Sequence, residues 1–274
     1  MKQDITALKN TAQTMRKQIL QLGFAAGNNG AHFAPALSIA EICAALYCNV
    51  MHIDTADFTN SDHFILSKGH GSLANYTAMH AAGLLDEATL TRFEENGGPL
   101  PGQPSKNLAL GIECSSGSLG MGLAYGMGLA LADSRKNNSR QTYVLLGDGE
   151  CNEGSVWEAA QFAAHQKMTN ITAIIDANHM QSDGDAAHIL NNNPAAMWQG
   201  FGWQVITADG HSFDSLLAAF DTKSDGRPRV IVAATVKGKG VSFMENAREW
   251  HHGRLTQQQL DEALAQVTGG QTLC

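Results

Sequence analysis

The chain has 274 residues, of which 43% are hydrophobic and 16% are charged, so it can bury a large core and is neither disordered nor fibrous. A chain of this length forms one large α/β domain or two small ones. Its formal charge of -8 argues against nucleic acid or an anionic membrane as the main partner.

The cysteine pattern and the uncharged segments bear on where the protein works. The five cysteines form no Cys-x-x-Cys pair, so neither a disulfide framework nor a cysteine zinc site is indicated, and we expect a cytoplasmic protein. The first residues lack the profile of a secretory signal. The longest uncharged run, residues 114–132, holds too many glycines and serines for a membrane-spanning helix.

Hydrophobic periodicity defines the elements of the first half. An amphipathic stripe predicts a helix over about 4–23, which ends at Gly23. A turn follows and places His32 on a loop. Ser38 and Glu41 then predict a capping box for a second helix over 38–50. Further on, the sequence predicts a strand over 64–66, a helix over 72–82, and a helix over 120–132 whose small residues permit close packing.

Apolar runs alternate with helical segments in the second half. These runs predict strands over 143–146, 171–176, 203–207 and 230–235. The intervening patterns predict helices over 155–166 and 213–220, with a final helix over about 256–267 and frayed last residues. We therefore expect residues 1–274 to form a single α/β domain in which helices flank a parallel sheet.

Polar residues of catalytic type follow the predicted strands, where parallel sheets bind their ligands. Gly147-Asp148-Gly149 follows one strand, and the segment with Asn178 and Met180 follows the next. A carboxylate, an amide oxygen and a backbone carbonyl suit magnesium, which completes its octahedron with phosphate oxygens and water. Gly-Asp-Gly alone is also a common turn, so the spacing by itself leaves both interpretations open.

The longer stretch GDGECNEGSVWEAAQFAAHQKMTNITAIIDANHMQSDG, residues 147–184, resembles the thiamine diphosphate motif of transketolases. Two earlier segments resemble that family in the same order, DHFILSKGHG at 62–71 and SGSLGMG at 116–122. The resemblance runs from about Gly23 to Arg254 and is closest in layout to the amino-terminal subunit of split, two-chain bacterial transketolases. It implies the diphosphate-binding domain of the thiamine diphosphate enzyme fold.

The resemblance also implies a cofactor site. Asp148, the side chain of Asn178 and the carbonyl of Met180 would bind Mg²⁺, or another divalent cation such as Ca²⁺ or Mn²⁺. His70 would hydrogen bond the diphosphate, although capping the next helix is an alternative role. Gly117 and Leu119 match the loop whose backbone meets the aminopyrimidine ring of the cofactor, called here the pyrimidine loop, and Ser118 stands in it where many transketolases have proline. The implied cofactor-binding set is His70, Gly117, Ser118, Leu119, Gly147, Asp148, Gly149, Glu150, Asn178 and Met180.

Four residues match catalytic positions of the family: His32, His70, Glu153 and His251. The sequence around His32 departs from the common Gly-His-Pro-Gly form. Glu153 matches an acid that links active sites, yet it also fits a charge at a helix amino terminus. Alignment by Trp250 selects His251, whereas alignment by the next glycine selects His252, and we prefer His251. Histidines with a surface or packing interpretation are His52, His80, His165, His188 and His211.

The implied reaction transfers a two-carbon ketol unit from a ketose to an aldose, with sugar phosphates as substrates. In this family an activating glutamate lies on a pyrimidine-binding domain, for which residues 255–274 leave no room. We therefore expect an α2β2 heterotetramer that includes a separate carboxy-terminal subunit.

Three alternatives remain at this point. One is another thiamine diphosphate enzyme, similar to 1-deoxyxylulose-phosphate synthase or a 2-oxo acid dehydrogenase. Another is a nucleotide-binding dehydrogenase built on the glycines from 117 to 128, which follow no clear strand. The last is a non-catalytic partner that keeps the fold. The Lys-Gly-Lys-Gly run at 237–240 lacks the spacing of a P-loop. We expect it only to order a loop over the candidate cofactor site.

Overall fold

A computed structural model describes residues 2–190 and 193–269. Its centre is a parallel sheet in the order β1-β2-β3-β5-β4. The strands are β1 His63–Leu66, β2 Thr142–Gly147, β3 Ile171–Ala177, β4 Gln204–Asp209 and β5 Arg229–Ala234. The α-helices are α1 Ile5–Ala25, α2 Phe33–Leu37, α3 Ala40–Ala45, α4 Ser72–Ala81, α5 Glu87–Leu90, α6 Met121–Arg135, α7 Gly154–His165, α8 Ala186–Ile189, α9 Pro194–Gly200, α10 Phe213–Asp221 and α11 Gln257–Thr268.

The central strands form because their sequences are apolar on both faces. Every residue of β3 is buried, and β2 is buried up to its last residue. Two hydrophobic clusters lie on opposite sides of the sheet, as expected for parallel strands covered by helices. The predicted parallel sheet with flanking helices is therefore confirmed.

Strand register brings the chemistry-bearing ends together. Gly147 pairs with Asp176 at the carboxyl ends of β2 and β3. Asp176 in turn pairs with Ala233 of β5. The segments that follow these strands therefore leave the sheet at one edge.

The helix predicted over 38–50 is present from Ala40 to Val50, but its predicted start and its capping box are wrong. The chain is already helical at Phe33, and residues 46–50 form a π-helical turn after α3. The Ser38 hydroxyl donates to Asp176 Oδ1 at 2.6 Å, while Glu41 pairs with Arg16 and with Nδ1 of His211. Tertiary partners thus take both side chains that were assigned to the cap. Helix α1 also continues to Ala25, past the predicted end at Gly23.

Helix α6 lies close against the sheet because of its small residues. A Cβ at Gly122 would lie 2.4 Å from Ser67 Cβ, and one at Gly126 would lie 2.5 Å from Val144 Cγ2. This contact fixes the loop before α6 beside the end of β1.

The two ends of the described chain also meet. Helices α1 and α11 pack together, and Ala31 forms an antiparallel bridge with Gly253. That bridge brings His32 beside the 251–252 pair. Among residues 2–190 and 193–269, no helix is both long and apolar enough to span a bilayer. The predicted fraying falls on residues 270–274, outside the described range.

Candidate active site

Asp148 and Asn178 lie at the sheet edge with their oxygens oriented by the chain. Asp148 accepts hydrogen bonds from the backbone N–H of Gly149 at 2.7 Å and of His179 at 2.6 Å. The Asn178 amide nitrogen donates to Asp176 at 2.8 Å, so its Oδ1 points the other way and accepts from the Met180 N–H at 3.0 Å. The local geometry therefore fixes which Asn178 atom is available as an oxygen ligand.

This donor set fits a divalent cation. Asp148, Asn178 and Met180 line one cavity of about 240 Å³, and their carboxylate, amide and carbonyl oxygens are ligands that Mg²⁺ accepts. Burial and the nearby negative charge of Asp176 raise the pKa of Asp148 to about 6. A cation at this position would stabilise the ionised carboxylate that burial disfavours.

A buried ion pair supports this edge of the sheet. Lys68 follows β1 and its ammonium contacts Asp176 at the end of β3. Although burial opposes ionisation, the Lys68 charge outweighs it and lowers the pKa of Asp176. Asp176 also accepts from the hydroxyl of Thr235 at 2.5 Å. The sequence analysis missed Lys68 as a site residue, although it lies directly after a predicted strand.

Four imidazoles gather at one end of the cavity. The ring centroid of His32 lies 4.5 Å from that of His252, 5.4 Å from that of His251 and 5.9 Å from that of His70. His70 and His251 are 5.1 Å apart. The structure thus brings together the three histidines predicted as catalytic. His251 lines the cavity itself, and the choice between it and His252 stays a prediction.

Burial and nearby charges favour the neutral form of His32, His70 and His251. Burial, followed by the charges of neighbouring groups, lowers the pKa of His32 to about 4 and that of His251 to about 3. Burial, with Lys68 as the next cause, also lowers the pKa of His70 well below its ordinary value. A neutral imidazole carries one N–H donor and one acceptor nitrogen, so each of these rings can donate one hydrogen bond and accept another.

Lys237, expected only to help order a loop over the site, is a second residue of the candidate site itself. It is 2% exposed, and its Nζ lies 3.1 Å from Nδ1 of His251 and 3.2 Å from the carbonyl oxygen of Gln181. Burial, with the charge of Lys68, lowers the pKa of Lys237 to about 8. Lys237 follows β5 by only a few residues, so the strand-end rule could have identified it.

The loop before α6 packs tightly over the β1 end. Gly117 has a φ of +145°, and a Cβ there would lie 2.4 Å from Gln103 Oε1. A Cβ at Gly69 would lie 2.7 Å from Ser116 Oγ. Leu119 lines the cavity, whereas Gly117 and Ser118 lie outside its lining. The three residues assigned to this loop therefore reach the cavity to different extents.

The two glutamates of the turn after β2 differ in exposure. Glu150 is 2% exposed and its carboxylate is bonded to the protein chain. Glu153 is exposed and precedes α7, where it lines the mouth of the same cavity. Gly147 and Gly149 line the cavity as well. The structure therefore brings most of the predicted cofactor set to one place.

Residues 9–269 match the family described as "Transketolase, thiamine diphosphate binding domain". The chain belongs to this family, and it resembles amino-terminal subunits of split transketolase-like enzymes.

Individual relatives carry more specific names. A subunit of the apulose-4-phosphate transketolase of Actinobacillus succinogenes is 38% identical over 249 residues, which cover 89% of this chain and 90% of that protein. The 6-deoxy-6-sulfo-D-fructose transketolase subunit SqwG of a Clostridium species is 35% identical, with 95% of this chain and 96% of that protein covered. Human transketolase is 35% identical over 97% of this chain, but only 42% of its own length is matched.

Solved structures agree with this classification. Transketolase from Campylobacter jejuni superposes with a TM-score of 0.89 and 26% sequence identity, covering 97% of this chain and 43% of that one. Transketolase from Leishmania mexicana gives 0.85 and 27%. The resemblance inferred from the sequence motifs is thereby confirmed.

Proposed function

We propose that this chain is the diphosphate-binding subunit of a two-chain transketolase that moves a two-carbon ketol unit from a ketose, or its phosphate, to an aldose acceptor or its phosphate. One observation carries the proposal. Asp148, Asn178 and Met180, which can supply oxygen ligands, line the same cavity as the neutral imidazoles of His70 and His251. An anion-bearing cofactor and a proton-transfer group can therefore be held side by side.

The cofactor end of the cavity suits a magnesium diphosphate. Asp148, Asn178 and the Met180 carbonyl would hold Mg²⁺, while Lys68 and Lys237 supply positive charge to the same cavity. At Gly149 a Cβ would lie 2.7 Å from Gln181 Cγ, so glycine is needed for this close approach. When bound, thiamine diphosphate supplies the nucleophilic carbon and the electron sink for carbon–carbon cleavage.

The histidine end suits the hydroxyl groups of a sugar. Because the Lys237 ammonium donates to Nδ1 of His251, the neutral ring carries its proton on Nε2. His251 is thereby set to donate a hydrogen bond to an oxygen in the cavity. His32, beside it, is also neutral because burial lowers its pKa to about 4, so its ring can donate one hydrogen bond and accept another.

We also propose a separate pyrimidine-domain partner and an α2β2 assembly, supported by relatives that are named as single subunits of a transketolase. The pair of helices α6 and α7 carries solvent-exposed apolar side chains, with Met121 55% exposed and Phe162 40% exposed. We assign this face to contact with a second copy of the chain. Analytical ultracentrifugation of M121E/F162E should show smaller assemblies than wild type. The control A88E, which adds a charge on exposed α5, should assemble normally.

The decisive activity test uses the chain with the protein that copurifies with it. Ketol transfer from a ketose phosphate, dependent on thiamine diphosphate and Mg²⁺, is the expected result, and neither component alone should be fully active. Turnover of pyruvate instead would indicate a 1-deoxyxylulose-phosphate synthase or 2-oxo acid dehydrogenase, and NADH binding would indicate a dehydrogenase.

A variant at the cation site tests whether this chain is catalytic. Asp148→Ala should lower the activity of the complex more than about 100-fold, since it removes a direct ligand. Full activity of the D148A complex would instead identify a non-catalytic partner that retains the fold.

A further inference from the structure

The buried carboxylate of Glu150 contacts three separate segments of the chain. Its Oε2 accepts from the backbone N–H of Gly147 at 3.0 Å, and its Oε1 accepts from that of Gly120 at 2.9 Å. Oε1 also accepts a short hydrogen bond from the Ser67 hydroxyl. Glu150 thus belongs to the cavity wall, while both of its carboxylate oxygens are engaged by the protein.

Each of these three partners belongs to a segment that borders the cavity. Gly147 ends β2 and immediately precedes Asp148. Gly120 ends the loop that contains Leu119 and begins α6. Ser67 lies between β1 and the segment of Lys68 and His70. One carboxylate thus joins the segments that lead to the cation ligands, the pyrimidine loop and the buried lysine.

The surrounding packing leaves these segments little freedom to shift. A Cβ at Gly120 would lie 2.6 Å from Glu153 Cβ, and Gly120 has a φ of +82°. The Ser67 hydroxyl also accepts from the Gly122 N–H at 3.1 Å, which extends the same network to the first turn of α6. The loop before α6 is consequently held by hydrogen bonds that converge on Glu150 and Ser67.

We propose that Glu150 is a positioning residue: its carboxylate fixes the separation between the diphosphate turn at Gly147 and the pyrimidine loop that ends at Gly120, without contacting the cofactor. This rests on the proposed function, since it assigns the two segments to the two ends of thiamine diphosphate. It replaces the expectation that Glu150 binds the cofactor directly.

Replacement by glutamine isolates this role because the side chain keeps its shape. An amide has only one acceptor oxygen, so Glu150→Gln can accept from Gly147 or from Gly120 but not from both. The amide nitrogen must then face the other backbone N–H, donor against donor. The two segments should therefore no longer be hydrogen bonded to the same side chain.

The test compares two probes on the assembly that copurifies with the full chain. Calorimetry measures the Kd of thiamine diphosphate and of inorganic diphosphate, each with Mg²⁺. Only the larger probe spans both segments. E150Q should raise the Kd of thiamine diphosphate about tenfold more than that of inorganic diphosphate. Ser67→Ala, which keeps the carboxylate, should show the same selectivity to a smaller degree.

A matched control separates positioning from stability. Asp133→Asn alters a carboxylate that is equally buried, but at the opposite end of β1, where it contacts His63 and Arg140. D133N should lower the Tm and leave both Kd values unchanged. If E150Q is too unstable to isolate, S67A tests the positioning role instead. The expected results for S67A are the same selectivity between the two probes and faster hydrogen exchange at residues 116–122.

Failure of the positioning role and failure of the proposed function give different results in this test. Equal weakening of both probes, or no weakening of either, in a folded E150Q or S67A assembly would overturn the positioning role. A wild-type assembly that binds neither probe would instead overturn the proposed function.

Discussion

Lys68 and Asp176 form an ion pair that solvent does not reach. Nζ of Lys68 lies 2.5 Å from Oδ2 of Asp176, and the two side chains are 1% and 0% exposed. The pair links the carboxyl end of β1 to that of β3 across the intervening strand β2. Because Asp176 also orients the amide of Asn178, the pair connects the stability of the sheet to the geometry of the candidate cation site.

Breaking the Lys68–Asp176 ion pair should lower the free energy of unfolding. Asp176→Asn leaves the Lys68 charge buried without a counter-ion, and we expect the free energy of unfolding to fall by about 3–5 kcal/mol. In the K68M/D176N double variant the loss should be smaller than the sum of the single losses, measured by denaturant unfolding. Asp225→Asn, which removes an exposed pair with Arg227, should have little effect. Additive losses at Lys68 and Asp176 would show that the two are not coupled.

Gly117 should resist substitution, in contrast to another glycine nearby. Gly117→Ala places a Cβ against Gln103 at a φ of +145°, so we expect a loss of about 1–3 kcal/mol and weaker cofactor binding. At Gly128, in α6, a Cβ meets nothing within 4 Å, and Gly128→Ala should stabilise the isolated chain by about 0.5–1 kcal/mol. Thermal unfolding and cofactor titration measure both effects. Equal Tm values for the two variants would contradict the steric argument.

His63 lies away from the candidate active site and should make the stability of the protein depend on pH. Its Nδ1 lies 2.7 Å from Glu113 and its Nε2 lies 2.8 Å from Asp133, so both ring nitrogens face carboxylates. Burial disfavours the charged ring, but these contacts outweigh it and raise the pKa of His63, with Arg140 opposing them. The resulting stabilisation is complete below the unfolded pKa, about 6.5, and is lost as pH rises through the higher folded value.

The cost of His63→Gln in unfolding free energy should therefore be larger at pH 6 than at pH 9. Urea denaturation at both pH values provides the measurement. Gln161→Ala, on the exposed face of α7, removes no titratable group, serves as the control and should cost the same at each pH. A pH-independent cost at His63 would mean that the imidazolium does not contribute.

Lys237 should control the protonation of His251. Lys237→Met removes a donor to Nδ1 and a positive charge, so the pKa of His251 should rise from about 3. It should stay below the ordinary value because burial is the larger cause. Nitrogen-15 NMR titration of the ring reports both the pKa and the tautomer. Lys239→Met, in the same loop but half-exposed, should leave His251 unchanged, and an unchanged His251 in K237M would contradict the assignment.

Apolar runs and strand ends were sufficient to predict much of this protein. The strands around Val144 and Ile174 are recognisable because burial on both faces leaves a continuous apolar sequence. Asp148 and Asn178 could be assigned because parallel strands place their ends together. The family motifs then gave these positions chemical meaning.

Other features depend on partners that sequence spacing does not reveal. Ser38 and Glu41 match a capping box by spacing, yet Asp176, Arg16 and His211 approach them from distant segments. Lys68 and Lys237 both follow strands closely, but their burial and their contacts with Asp176 and His251 are visible only in the folded chain. Tertiary contacts therefore decide side-chain roles that local pattern leaves open.

The bridge between Ala31 and Gly253 has a consequence for the order of folding. The cation ligands depend on β2 and β3, which are neighbours both in sequence and in the sheet. The imidazole group instead requires two segments from opposite ends of the described chain to meet, and contacts of such long sequence separation form slowly. The imidazole group is therefore expected to assemble after the strand pair that positions Asp148 and Asn178.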